Sequence, residues 1–227
     1  MKRLGSRHQN LDQKVYSRLK SMIVERKLMP GEKIYQDKLS RELGVSRTPL
    51  ISALKMLEQE NLVFAIPRRG FFVHIFSTEE MIAIFEVREV LEGLAARKAA
   101  QNIRNSQEKK LKTFFTEVRI SNNPEDIRSY AKEDRRFHNF LIEVSGIDIL
   151  PSILTTFNIL TFSYQRDVLE GLVRLPKDTI DEHRAIIDAI TMKDPEKAEE
   201  LMRLHLRTSR VQLIKEIEGE KIKAENQ

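Results

Sequence analysis

The sequence predicts a mainly α protein, with an N-terminal winged helix-turn-helix followed by an all-α bundle of six or seven helices. Three observations point there. The 227 residues include only 8 Gly and 7 Pro, few turn formers for a chain of this length. Two short helical patterns with a Gly-containing turn between them are followed by two β-patterned runs around Pro67-Arg68-Arg69-Gly70. Beyond Ser77 the amphipathic stretches have helical spacing, and none makes a convincing strand.

In chain order, Leu11, Val15, Leu19, Met22 and Ile23 recur every three or four residues, predicting a helix over about 10–28 that Pro30-Gly31 ends. A short helix from Gln36 to Leu43 stops at Gly44. Ser46 then opens a third helix, whose apolar face is Leu50, Ala53, Leu54 and Leu57. Leu62 to Ile66 and Phe71 to Ile75 form a hairpin, the wing. Ser77 and Glu80 make a capping box that opens a helix to about Ile103. Further helices are expected near 106–121, 124–145, 148–172, 176–192 and 195–218. The capping box places a domain boundary, giving 8–76, 77–220 and a polar tail at 221–227.

Charge divides at the same place. The net charge is +5, but residues 1–77 hold 15 Lys+Arg against 7 Asp+Glu, a net +8, whereas 78–227 hold 24 against 27, a net −3. A short basic part beside a slightly acidic one suggests an anion-binding module joined to something with another task. With 41% hydrophobic residues the chain is too apolar to be disordered. It has no Cys, which excludes disulfides, zinc-thiolate sites and thiol catalysis and fits a reducing cytoplasm. No run approaches the roughly 18 apolar residues of a membrane helix, and the basic start lacks the apolar stretch of a signal peptide.

The basic part carries two candidate contacts to double-stranded DNA. Ser46, Arg47 and Thr48 open the third helix, where free N–H groups favour phosphate and a recognition helix points its first residues at base edges. Arg47 is the leading base reader, since an Arg can bond both acceptors of a guanine. Arg68 and Arg69 project from the wing to the minor groove or its phosphates, and Gly70 lets the backbone pass close to the duplex. Taken singly, Ser46 could be only an N-cap, and the arginines only solvated.

In the larger part the informative residues are polar ones on apolar faces. Asp134 and His138 stand at i and i+4 on one helical face, His183 occupies an apolar stripe, and His205 lies at the edge of the last helix's core face. Three imidazoles and a carboxylate suit a borderline divalent ion, Zn²⁺, Ni²⁺ or Mn²⁺. The same pattern also fits a local ion pair and satisfied core histidines. Arg88 has an equally plain alternative, an ion pair with Glu92 one turn on. Glu133 and Glu182 adjoin two of the candidate ligands in sequence and are expected to point to other faces.

The run LSRELGVSRTPL at 39–50, with Ala53-Leu54, Leu57-Glu58, Leu62-Val63 and Arg69-Gly70-Phe71, resembles the DNA-binding domain of GntR-family bacterial transcription regulators. The resemblance implies operator recognition by Arg47 and Thr48, with Gly70 and Arg69 in the groove. One position departs. The family usually carries Arg-Glu after the Thr-Pro-Val/Leu segment, whereas Ile51 and Ser52 stand there, and Lys55 one turn later is the cation that could compensate in part. Phe85, Arg88, Leu91, Glu92, Ala95 and Ala96, followed by Asp134, His138, His183 and His205, look like the FCD ligand-binding domain of the FadR-type subfamily, over nearly all of 78–220. That likeness implies a divalent metal at the four side chains, open coordination positions for water or an effector carboxylate, and a carboxylate-holding Arg88.

The function expected is a cytoplasmic, effector-responsive regulator, a homodimer on a pseudo-palindromic operator, sensing a small carboxylic acid through its metal-containing bundle. A regulator whose metal is structural or absent would bind the acid through Arg88 and its neighbours alone. A metal-dependent enzyme with an accessory DNA-binding domain is the rival of another class. No His-Glu-x-x-His or other hydrolase motif supports it.

Overall fold

A computed structural model describes residues 6–154 and 172–225, with side chains over 11–154 and 172–219. Its contacts fall into two compact units that divide between Phe76 and Ser77.

The first unit begins with α1 (Ser6–Val24), β1 (Lys33–Ile34), α2 (Gln36–Leu43) and α3 (Arg47–Gln59). It closes with β2 (Val63–Ile66) and β3 (Gly70–Val73), the two strands of the wing. Gly44 ends α2 at φ 65°, ψ 34°, and its N–H bonds the carbonyls of Arg41 and Ser40. A β-carbon there would meet nothing within 4 Å. The glycine is present for the left-handed backbone of the turn rather than for space. Val15, Leu19 and Ile23 of α1 are buried with Leu50, Ala53, Leu54 and Leu57 of α3, which closes the core of this unit. Lys20 reaches Glu60 at 2.7 Å and ties α1 to the end of α3.

Two local features depart from the sequence pattern. Helix α1 stops at Val24 rather than near 28, because the chain turns at Arg26 with φ 54°. Leu28 stays buried beyond that turn, so the apolar periodicity outlasts the helix. The three-stranded antiparallel sheet has the order β1-β3-β2, with Lys33 opposite Phe72. The two-residue β1 is too short to show alternation, and only its pairing with β3 makes it a strand.

The second unit contains α4 (Thr78–Asn102), α5 (Asn105–Leu111) and α6 (Pro124–Val144). The chain is helical again over 150–154, and α7 (Pro176–Thr191) and α8 (Pro195–Glu225) complete the described part. The expected helix near 148–172 lies, beyond 154, outside the described residues. Ser77 caps α4 as the sequence predicts: its Oγ accepts from Glu80 N at 3.1 Å, and Glu80 Oε2 accepts from Ser77 N at 2.8 Å. The long pairing of α4 with α8 is the backbone of the bundle. Gly93 permits their close approach, for a β-carbon there would lie 2.6 Å from Arg203 Cγ. Ion pairs of Arg207 with Glu89 at 2.6 Å and of Arg210 with Glu86 at 2.8 Å join the same two helices.

The helix expected over 106–121 is short. Thr113 and Thr116 donate their hydroxyls to the carbonyls of Lys110 and Thr113, which offers the backbone an alternative to helix. At Phe115 the chain adopts φ 62°. That conformation costs a residue with a β-carbon about 1–2 kcal/mol. Both Phe114 and Phe115 turn inward and are buried. At the other end α8 passes the expected 218 and runs to Glu225. No helix among the described residues is long and apolar enough to cross a membrane.

Removing the cap on α4 tests its weight. Ser77→Ala is expected to lower stability by about 1 kcal/mol, read from the midpoint of urea unfolding at unchanged slope.

Candidate functional site

On the first unit, Ser46 is the N-cap of α3 in extended backbone, and its side chain makes no capping hydrogen bond. Arg47 follows as the first helical residue and Thr48 as the second, both exposed, while Pro49 and Leu50 turn into the core. Arg47 is ion-paired with Asp37 in the first turn of α2, a partner that the local sequence pattern does not reveal. Lys55 is exposed further along α3. In the wing, Arg68 holds φ 63° and Gly70 φ 96°, and Arg68 and Arg69 are exposed. The Arg69 guanidinium lies 6.0 Å from the centre of the Phe72 ring, and a β-carbon on Gly70 would lie 4.0 Å from Lys33 Cε. Lys33 on β1 therefore sits at the root of the wing.

On the second unit, three helices bring four distant positions together. Asp134 and His138 come from α6, His183 from α7 and His205 from α8, and one ligand atom from each lies within 4.8 Å of the others. Asp134 Oδ1 is 3.3 Å from His183 Nε2 and 3.9 Å from His138 Nε2. The three histidines are buried.

Hydrogen bonds on the far side of each ring fix which nitrogen faces this centre. His138 Nδ1 bonds the Glu92 carboxylate, and His205 Nδ1 bonds Glu182 Oε2 at 2.7 Å. A carboxylate only accepts, so both Nδ1 atoms donate. His183 Nδ1 lies 2.9 Å from Tyr130 Oη, which lies 2.7 Å from Thr179 Oγ1, and Thr179 donates to the carbonyls of Leu175 and Pro176 at 3.4 Å. Where Thr179 gives its one proton to one of those carbonyls, Tyr130 donates to Thr179 and accepts from His183 Nδ1–H. With Nδ1 donating, His138 and His205 carry their lone pair on Nε2, and His183 does the same in the tautomer in which Tyr130 accepts. Among the described residues His183 Nε2 is a buried atom without a hydrogen-bond partner.

Electrostatics agree with neutral rings at His183 and His205. Burial, followed by the nearby His205, His138 and Arg174, drives the His183 imidazole well below its ordinary range. Burial also lowers His205, against the pull of Glu182. Burial opposes ionisation of Glu92, but Arg88 and His138 outweigh it and hold its carboxyl at about 2. Arg174 and His205 do the same for Glu182, also at about 2.

Arg88 makes the ion pair that its spacing from Glu92 allows, Nε to Oε1 at 2.6 Å, and Glu92 at the same time holds His138. Glu133 pairs with Arg136 on its own helix, but Glu182 does not point away from the centre, because α7 lies against α8 and its carboxylate reaches His205. Arg174, which carries no sequence signal of its own, clamps Glu182 at 2.8 and 2.5 Å and donates to the His205 carbonyl at 3.1 Å. Arg88, Arg174, Asp134, His138, His205 and Ser209 border a small cavity of about 40 Å³, partly open to solvent.

The histidines give a pH dependence whose sign follows from their direction of shift. An unfolded imidazole takes a proton near 6.5, whereas His183 and His205 stay neutral below that in the fold. The unfolded state then binds more protons as pH falls, so stability is full above about 6.5 and declines below it. Urea unfolding in chelator is expected to lose about 1.4 kcal/mol per pH unit for each such histidine below that pH. A further loss, from Glu92 and Glu182, falls between about 4.5 and 2. Stability that rises on acidification to pH ~5.5 would contradict the neutral-ring arrangement.

Comparison with known proteins places both units. Residues 11–73 match the gntR family of bacterial regulatory proteins, and residues 83–208 match the FCD domain. Among curated proteins, the HTH-type transcriptional regulator YdhC of Bacillus subtilis is 29% identical over 194 residues, 84% of this chain and 85% of its own. The HTH-type transcriptional repressor RspR of Escherichia coli is 25% identical over 198 residues, 87% of this chain and 86% of its own. Among solved structures, E. coli McbR/YncC shares the fold with a TM-score of 0.72 at 19% identity, covering 91% of this chain and 98% of that one. These relatives are transcription regulators rather than enzymes. The chain belongs to the gntR family, and is a DNA-binding transcription regulator whose winged helix-turn-helix is followed by an FCD domain.

Proposed function

We propose that this regulator holds a divalent metal ion, Zn²⁺, Ni²⁺ or Mn²⁺, through Asp134, His138, His183 and His205, and that a small carboxylic acid binding beside it alters affinity for a DNA operator. The observation that supports this most is the set of three anchored rings. Metal-ligating histidines characteristically donate their second nitrogen to a carboxylate or other acceptor, which fixes tautomer and orientation. Here Glu92, Glu182 and Tyr130 supply those acceptors. The orphaned, fully buried Nε2 of His183 fits a cation as its missing partner. When bound, such an ion supplies a Lewis-acidic centre for a carboxylate oxygen.

The remaining steps belong to the protein. Arg88 borders the pocket and can offer a bidentate grip on an acid. An acid that drew Arg88 toward itself would loosen Glu92 and, through it, His138 on α6. The effector changes DNA affinity only if it binds the DNA-competent and incompetent arrangements unequally. On the DNA side, Ser46, Arg47 and Thr48 would enter the major groove, Lys55 would meet phosphate, and Arg68, Arg69 and Gly70 would follow the minor groove. The regulator would act in the cytoplasm as a homodimer on a pseudo-palindromic site, whose symmetry mirrors that of the protein.

Three measurements test the reading. In gel-shift titrations Arg47→Ala is expected to weaken specific binding by about 1–3 kcal/mol and to relax preference at one base position, with little change on non-specific DNA. Equal losses on both DNAs would remove Arg47 as a base reader. Untagged protein is expected to carry about one equivalent of metal by elemental analysis. Carboxylic acids should raise its thermal midpoint only without chelator, and Arg88→Lys should lose that rise while keeping the metal. Acid-induced shifts that survive chelation would mean that Arg88 and its neighbours bind the acid alone.

A further inference from the structure

We propose that Phe115 is a positioning residue for the metal centre, the ring that sets the plane of the His183 imidazole so that its Nε2 faces the other three ligands. The proposal rests on the metal reading above and assigns a role to a side chain outside the ligand set. Phe115 follows the short helix α5, in the turn that leads toward α6, and the sequence there reads only as an apolar pair.

Phe115 holds φ 62° and is buried, whereas Arg68, Asn61 and Lys193, at similar φ, are exposed polar residues in turns. The left-handed region is disfavoured for a residue with a β-carbon, and a bulky aromatic held there in a core is over-determined by its surroundings. Strain of this kind concentrates where a side chain must be placed for function.

What the conformation achieves is visible in the ring contacts. The Phe115 and His183 rings are 4.7 Å apart and 6° from parallel. Phe137 meets the same imidazole edge-on, at 5.1 Å and 69°, from the regular helix α6. Tyr130 packs on Phe115 at 5.4 Å while its hydroxyl bonds His183 Nδ1. The hydrogen bond fixes the direction of the Nδ1 to Nε2 axis, but a single bond leaves the ring free to tilt about it. A flat aromatic surface against one face removes that tilt. His138 and His205, by contrast, are held by carboxylates that are themselves pinned by Arg88 and Arg174. His183 has the neutral anchor, and it is the one against which a ring is stacked in parallel by a strained backbone.

The test compares Phe115→Leu with Phe140→Leu in the full chain. Phe140 belongs to the same aromatic cluster through Phe114, at 5.3 Å, but makes no ring contact with a histidine among the described residues. Both variants lose a buried ring and should lose stability in the metal-free state. Only Phe115→Leu is expected to weaken Co²⁺ or Ni²⁺ binding, by about 10–100-fold in a chelator competition, as removal of a ligand's outer support does. It should also shift the visible bands of the Co²⁺-loaded protein, a signature of ligand geometry that general destabilisation does not move. Should Phe115→Leu fail to fold, Phe115→Met is read by the same criteria. Co²⁺ affinity and bands in the Phe115 variant equal to those of the unaltered protein, or an equal loss in the Phe140 variant, would overturn the proposal alone. Failure of the unaltered protein to take up either ion would overturn it together with the metal reading.

Discussion

Three buried imidazoles facing one another inside an apolar bundle are the constraint around which the second unit is arranged. Buried polar rings need partners, and charged ones would repel at centre distances of 4.4 to 5.6 Å. The arrangement resolves this by giving each ring an acceptor on its outer nitrogen and leaving the inner nitrogens as lone pairs. The acceptors are then constrained in their turn. Glu92 and Glu182 must remain ionised while buried, which requires Arg88 and Arg174 beside them. Six charged or polar residues are thus committed to holding three rings, and His183 Nε2 is the ring atom left buried without a hydrogen-bond partner among the described residues.

Charge pairing also joins α4 to α8. The buried face of α4 presents Arg88, Glu89 and Glu92, charges that an ordinary core helix would exclude. Glu89 is neutralised across a helix boundary by Arg207 of α8, whereas Glu92 pairs with Arg88 on α4 itself and accepts a hydrogen bond from His138 of α6. Gly93, one residue beyond Glu92, removes the side chain that would hold α8 away. A ligand that draws on Arg88 therefore acts on a contact shared by α4 and α6. That gives the pocket a direct mechanical link to the helices that carry the candidate ligands.

Much of this is legible in the order of the residues. The capping box of Ser77, the glycine turn at Gly44, the hairpin around Arg68-Arg69 and the inward spacing of Asp134, His138, His183 and His205 all rest on interactions within a few residues, which periodicity and turn chemistry report directly. Less legible are features in which the chain follows a distant partner. The strand β1 is two residues long and exists through β3. The run after Leu111 has helical spacing, yet threonine hydroxyls and the inward turn of Phe115 break it. Arg47 reads in the sequence as a solvated base reader, whereas Asp37 of the preceding helix pairs with it.

The amino-acid sequence by itself determined the division into a basic winged helix-turn-helix and a helical unit, and the identity of the four inward-facing residues. Both follow from charge count and from which face of a helix each residue occupies. Only the tertiary structure decided what those faces meet. Glu92, Tyr130 and Glu182 stand 46, 53 and 23 residues from the histidines they anchor. No local pattern encodes such pairings, because the crossing of two helices sums packing along their whole length. Glu182 shows the difference most plainly. Its place next to His183 in α7 suggests a residue turned to another side, and the approach of α8 makes it the anchor of His205.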